Sequence, residues 1–449
     1  MHKKEFFRKM LAIAIPVALQ NLINFGVNMM DTVMLGKLGE TQLSASSLAN
    51  ELGFIFMIVN FGLGSGLGIL TAQYWGKGDV LSVRKVLSLA YRLTVGIGIV
   101  FTAIALTVPE AVMRIFTTDQ AVIAEGVRYL RIIAFTYVIN GVSVTSINML
   151  RTVGVVKISV VISSVSLVVN VFSNWVFIFG HLGAPALGIA GAALGTLIAR
   201  VVEIIIVLVF MGFFERQIVF RPKDLFLKID SQIKKNFVSY SLPVLCNETI
   251  WSVGSSMLAV IMGHIGSDMV AAASIANMVR QFAFILMQGV SSASAVITGH
   301  TIGEGDYAKA KEQARQFLLL SVAIGLVNCL VMTLLKGPVV GFYNVSDSTR
   351  EMARQMITAL TFICPFQSVG MVILIGMMRG GGDSKFVLVW DVGSIWLAAI
   401  PLGILTGWLL HWPAPIVFFF LRFDDVVKSI ACLFRMKSGK WIRDVTKTA

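Results

Sequence analysis

Charge is scarce in this sequence: Asp, Glu, Lys and Arg supply 14% of its 449 residues, against roughly 25% in an ordinary soluble domain. No polar stretch reaches domain size, which excludes a soluble enzyme and a disordered scaffold. Histidine and cysteine are nearly absent too, at 5 and 4 residues. Cys246, Cys329, Cys364 and Cys432 stand singly in apolar runs, with neither a CxxC pair nor metal spacing, so they read as core thiols. HExxH, GxSxG and paired histidines are missing, so no catalytic chemistry, cofactor or structural metal is expected. What remains is apolar: 56% of the chain is hydrophobic and its mean hydropathy is +0.82. One water-soluble core cannot hide that much, and the chain reads as a polytopic membrane protein.

Twelve apolar runs of the length needed to cross about 30 Å of hydrocarbon lie near 11–35, 45–75, 86–108, 129–150, 158–179, 187–213, 237–262, 270–300, 316–335, 354–377, 386–408 and 413–434. Each must be a helix, because only a helix satisfies every backbone group within one segment in lipid. The twelfth run carries Arg422, Asp424, Asp425 and Lys428. Its acids are expected at the water level, with Lys428 snorkelling beside them.

Basic residues set the orientation. Of 37 Lys and Arg, 26 lie on the side that holds both termini, 7 on the opposite side, and Arg200, Arg280, Arg422 and Lys428 within runs. The positive-inside rule places both termini in the cytoplasm, in a cell (inner) membrane. The +13 net charge therefore marks topology. Nucleic-acid binding would need those charges on one face with interleaved aromatics. No cleavable signal is expected, since the first run is too long and lacks a small-residue cleavage site.

Shifted by 227 residues, the sequence matches itself without a gap over 16–79, with 18 identities in 64 positions. Pro16-Val17 falls on Pro243-Val244, Gly36-x-x-Gly39 on Gly263-x-x-Gly266, Ala49-Asn50 on Ala276-Asn277 and Gly76-x-Gly78-Asp79 on Gly303-x-Gly305-Asp306. One residue more aligns Arg151-x-x-Gly154-x-x-Lys157 with Arg379-x-x-Gly382-x-x-Lys385. Six runs per repeat make the halves parallel, related by a pseudo-two-fold axis along the membrane normal, as in secondary transporters with a midplane site between halves. The expected division is 1–213, a basic linker 214–236, and 237–449.

Polar side chains inside spans are costly and face a bundle interior or a wet cavity. Asn21, Asn24, Asn28 and Asp31 share one helical face of the first span, and Ser163, Ser166, Asn170 and then Ser173 or Asn174 one face of the fifth. Glu248, Ser252 and Ser255 line the seventh span, and Asn277, Gln281, Gln288 and Ser292 the eighth. Isolated residues of this kind can simply glue helices together. Stripes in corresponding helices point to a hydrated cavity lined by Asn24, Asn28, Asn277, Gln281 and Gln288. Asp31 and Glu248 are candidates to exchange a proton or hold Na⁺. Arg280 either binds an anionic substrate or neutralises Glu248.

These residues resemble the multidrug and toxic compound extrusion (MATE) transporters over nearly the whole chain. The likeness rests on Asp31-Thr-Val-Met-Leu-Gly-Lys-Leu-Gly39, Ala49-Asn50, Gly76-Lys-Gly-Asp79 and Leu150-Arg-Thr-Val-Gly154 with its echo Met378-Arg-Gly-Gly-Gly-Asp383. Asn170-x-x-x-Asn174-x-x-Phe177-x-x-Gly180, Gly188-x-x-Gly191-Ala-Ala-x-Gly195-Thr196 and Ser438-Gly-Lys-Trp441 complete it. The resemblance implies an all-α membrane protein of twelve transmembrane helices in two six-helix lobes. It also implies alternating access that exports small organic cations in exchange for H⁺ or Na⁺, by a monomer. In relatives with an N-lobe cation site, an Asp on the first helix joins an Asn and an Asp on the fifth and a Thr on the sixth. The matching positions are Asp31, Asn170, Asn174 and Thr196, and Asn174 departs from the pattern by removing one negative charge. Where another branch carries a Glu on the seventh helix and an Asp on the tenth, this chain has Trp251 and Ser368, leaving Glu248, one turn earlier, as a possible second protonation site. The repeat aligns Thr196 with Asp424, which adds interest to Asp424. The alternative is a lipid-linked oligosaccharide flippase of the same wider superfamily, which would need a strongly basic cavity, and Arg280 is the one clear mid-span cation.

Overall fold

The computed structural model describes residues 3–343 and 345–447, and among these the chain forms helices without a strand. In order they are α1 (Lys3–Gly36), α2 (Glu40–Gly76), α3 (Val80–Thr107), α4 (Pro109–Phe116), α5 (Gln120–Ile133), α6 (Thr136–Thr152), α7 (Lys157–Phe179) and α8 (Ile189–Val209). The second half holds α9 (Ser231–Ile265), α10 (Ser267–Gly303), α11 (Tyr307–Phe342), α12 (Asp347–Val369), α13 (Ser384–Ser394), α14 (Ile400–Ile404), α15 (Ala414–Phe420) and α16 (Asp424–Ser438). Ten helical stretches among the described residues are long and apolar enough to cross a membrane, and α5 with α6, bent by 51°, makes an eleventh. The twelfth expected span is helical but broken between α15 and α16. There the backbone bonds of Arg422 and Phe423 tighten to the carbonyls three residues back, Phe419 (3.1 Å) and Phe420 (3.1 Å), a single 3₁₀-like turn inside a span.

The repeat is written into backbone conformation. Gly78 and Gly305 both take φ +79°, and Gly154 and Gly382 take +87° and +88°, left-handed conformations that only glycine adopts without penalty. The following Asp79 and Asp306 cap the next helices alike, accepting from Ser82 N at 3.0 Å and Lys309 N at 2.9 Å. Pro16 and Pro243 sit inside α1 and α9, where each removes one helical hydrogen bond and favours a kink.

Contacts divide the chain into two compact units: residues 19–71 with 79–241, and residues 1–18, 72–78 and 242–449. The boundaries cut α1, α2 and α9 mid-helix. In the first unit, α7 and α8 approach at glycine: a Cβ on Gly191 would lie 2.3 Å from Phe177 O. Small residues let membrane helices pack where water provides no driving force. The 214–236 stretch is strapped to α3, with Arg84 donating to Ile218 O (2.6 Å), Arg92 to Leu225 O (2.7 Å), and Lys85 paired with Asp230 (2.7 Å). The Lys85 hydrogen bond holds the Asp230 carboxyl below its ordinary range.

In the second unit, the end of α2 crosses α10 at closest approach. A Cβ on Gly76 would lie 2.1 Å from His300 O, and one on Gly303 2.0 Å from Gln73 O. The two contacts are images of each other under the 227-residue shift, so the local crossing is self-complementary in the way a two-fold requires. The tail then straps the same place. Gln73 accepts from Val445 N at 2.8 Å and donates to Arg443 O at 3.1 Å. Trp441 is fully buried, and Asp383 pairs with Arg435 (2.7 Å) and Arg443 (2.8 Å).

Candidate functional site

Four residues from three helices of the first unit converge. Asp31 lies in the last turns of α1, Asn170 and Asn174 one turn apart on α7, and Thr196 on α8. Asn174 Nδ2 donates to Asp31 Oδ1 at 2.5 Å and stands 3.3 Å from Asn170 Oδ1, while Asn170 Nδ2 donates to Thr196 Oγ1 at 3.4 Å. Asn170 and Asn174 are buried, so their amides exchange water for one another and for the carboxylate. Among the described residues, Asn174 Oδ1 has no hydrogen-bond partner. The group is thus one carboxylate with amide and hydroxyl oxygens around it and an acceptor left over, which is what a proton or a hard monovalent cation needs. Arg200, one turn beyond Thr196, is the cation whose field reaches Asp31, and it pairs with Glu203 at 2.7 Å.

Gly195 makes this geometry possible, and the sequence reading did not single it out as a site residue. A Cβ there would lie 2.1 Å from Asn174 Oδ1 and 3.1 Å from Asn174 Cγ. Its signal was present in Gly188-x-x-Gly191-Ala-Ala-x-Gly195, a small-residue face on α8, but which side chain that face receives is a property of the packed pair.

In the second unit, Glu248 meets Arg379 at 3.2 Å and not Arg280, which has no carboxylate within ion-pair distance among the described residues. Glu248 Oε1 also lies 3.4 Å from Asn247 Nδ2. Asn247 in turn donates to Asp391 at 2.9 Å. The expectation of water-level acids on the twelfth span is corrected here: Asp424, Asp425 and Lys428 are 5%, 7% and 7% exposed. Lys428 is the hub of a buried cluster, 2.8 Å from Asp424, 3.1 Å from Asp391 and 3.2 Å from Asp425. The turn that breaks the twelfth span directs the acids inward to the ammonium. Asp391 was missed because nothing echoes it in the repeat and its partner lies 37 residues away.

The expected cavity residues divide between the units. Asn24 and Asn28 are exposed on α1. Asn277 and Gln288 are half-buried and Gln281 exposed on α10. Asn277 has a charged environment: its Oδ1 accepts from Arg280 Nε and Arg422 Nη2, both at 3.3 Å.

A family model described as MatE matches residues 16–176 and 243–405, two segments that fall on the two repeats. A probable multidrug resistance protein NorM of Rhizobium meliloti is 27% identical over 423 residues, covering 91% of this chain and 87% of that protein. Among solved structures, an outward-facing conformation of a multidrug resistance MATE family transporter of the MOP superfamily is similar with a TM-score of 0.87, at 18% identity, covering 96% of each chain. A MOP superfamily transporter from Pyrococcus furiosus, described as having a binding pocket of reverse polarity, gives a TM-score of 0.84 at 18% identity over 98% of this chain and 96% of that one.

Proposed function

The chain belongs to the MatE family, and we propose that it is a secondary antiporter exporting organic cations and drugs in exchange for H⁺ or Na⁺ by alternating access. The observation that carries this reading is the Asp31–Asn174–Asn170–Thr196 group. A carboxylate within a span is costly unless it is functional or paired, and Asp31 has amide and hydroxyl neighbours with no cation in ion-pair contact among the described residues. The NorM relative is named for multidrug resistance, which supports efflux of drugs as the task.

The cycle follows from differential binding. Ion uptake at Asp31 neutralises its charge, so Asn174 need no longer donate to a carboxylate and α1 is released to adopt a second position. A ligand shifts such an equilibrium only by its difference in affinity for the two states. The halves 1–213 and 237–449 are the bodies we assign to the exchange, with both termini cytoplasmic and the chain acting as a monomer. Glu248 is a second proton acceptor in this scheme, its charge balanced by Arg379.

Dye accumulation in inverted vesicles, with Na⁺ and H⁺ gradients collapsed separately, tests the proposal, since an exporter there pumps dye into the lumen. One collapse is expected to stop accumulation. If neither does, the antiport reading fails.

A further inference from the structure

We propose that Arg280 and Arg422 form a docking site for the carboxylate of amphipathic aromatic substrates, so that the exported molecules include zwitterions and acids. The inference rests on the efflux reading and adds carboxylate-bearing molecules to its substrate class.

Both arginines belong to spans, Arg280 to α10 and Arg422 to the turn between α15 and α16. Both donate to the same oxygen, Asn277 Oδ1, at 3.3 Å. Two guanidiniums drawn to one neutral acceptor repel each other and leave most of their ten N–H donors unused. Among the described residues, neither has a carboxylate within 4.0 Å, the distance that defines every ion pair found in this chain. The acids near them are already engaged. Asp391, Asp424 and Asp425 surround Lys428, and Glu248 holds Arg379. Asp424 and Asp425 act on Arg280 only through the longer-range field.

The surroundings suit a ligand. Asn277, Arg280 and Arg422 are half-buried, not sealed, and Asn277 and Arg280 lie on the α10 stretch that also carries the exposed Gln281. Arg422 sits on the 3₁₀-like turn of a broken span, where non-helical backbone at membrane depth is tolerated when it faces protein or a cavity. Its guanidinium stands 6.0 Å from the ring centroid of the buried Phe418, which holds it against the core on that side. A planar guanidinium pair matches a carboxylate with two parallel hydrogen bonds.

The test uses two dyes on one xanthene scaffold: rhodamine 110, a free acid, and rhodamine 123, its methyl ester. The full chain in neutral-lipid nanodiscs is expected to bind the acid at least tenfold more tightly than the ester, by fluorescence anisotropy. Arg280→Gln and Arg422→Gln should each cut the acid-to-ester preference about tenfold, as the loss of a charge-assisted hydrogen bond implies. Arg280→Lys should keep part of it, and benzoate should displace the acid dye. Equal affinity for the two dyes, equal loss of both in the glutamine variants, or no acid-dye binding overturns the proposal. So does displacement by a polyprenyl phosphate but not by benzoate, which would assign the pair to a lipid phosphate. Proteoliposome transport of both dyes without acid preference defeats this inference alone, whereas transport of neither defeats the efflux reading beneath it.

Discussion

Gly195→Ala places a methyl group where Asn174 now stands. Its Cβ would be 2.1 Å from Asn174 Oδ1 and 3.1 Å from both Asn174 Cγ and Asn174 N. Contacts under 3.0 Å do not survive, so one partner must move by about 1 Å. The backbone of α7 at Asn174 resists, because α7 is an unbroken helix from Lys157 to Phe179. The side chain therefore yields, and the 2.5 Å bond to Asp31 goes with it. A hydrogen bond to a charged group contributes about 1.5–3 kcal/mol, or about ten- to hundredfold in affinity for the coupling ion. The assay is dye efflux from proteoliposomes as a function of pH and of Na⁺ concentration, read as the half-saturating ion level. Gly212→Ala is the control, since nothing lies within 4 Å of its added Cβ. An unchanged half-saturation level in a Gly195→Ala protein of wild-type Tm would refute the idea that Asn174 tunes Asp31.

Other expectations can be checked alongside. Gly76→Ala or Gly303→Ala forces methyl groups to within 2.1 Å of His300 O or 2.0 Å of Gln73 O, so the ends of α2 and α10 should separate. Spin labels at Lys77 and Glu304 would read this as a longer, broader distance distribution, and an unchanged one would show that the crossing has slack. Lys428→Met strands three buried carboxylates and should destabilise the protein by about 3–5 kcal/mol, with partial recovery in Lys428→Met/Asp391→Asn; thermal unfolding of the two variants decides this. The lowered Asp230 pKa carries a pH sign. The Lys85–Asp230 contribution is fully present above the ordinary aspartate range and is lost as pH falls through the depressed pKa. Proteolysis of the 214–236 stretch should therefore be unaffected near neutrality and rise only in strong acid, and a rise already at mildly acid pH would contradict it.

Much of the architecture was legible in the sequence for a physical reason. Positions that recur at 227 or 228 residues are those where the backbone allows no choice: Gly78 with Gly305, Gly154 with Gly382, and Gly76 with Gly303. Spans announce themselves by length and hydropathy, and the resemblance to a known family joined Asp31 to Asn170, Asn174 and Thr196, residues on three helices that spacing alone cannot associate. What escaped depends on which faces meet. Lys428 looked like a snorkelling surface residue because its sequence neighbours are two acids near a predicted helix end, and only the fold brings to it Asp391, to which Asn247 donates. Arg280 offered two readings that differed in the place of Glu248, and Arg379 settles that by pairing with Glu248 at 3.2 Å. Contact boundaries inside α1, α2 and α9 were invisible, since a helix that passes from one unit to the other has no break in its hydropathy.

The central claim, that an ion bound at Asp31 moves against substrate, is tested most directly by running the exchange backwards. Proteoliposomes carry the purified protein with a pH or Na⁺ indicator inside, and a gradient of rhodamine 123 is the sole driving force. Dye flow in one direction is expected to drive one ion in the other, and Asp31→Asn to abolish this ion flux in a protein that still binds dye. Ion counterflow that persists undiminished in Asp31→Asn, or dye flow without ion movement in the wild type, would contradict it.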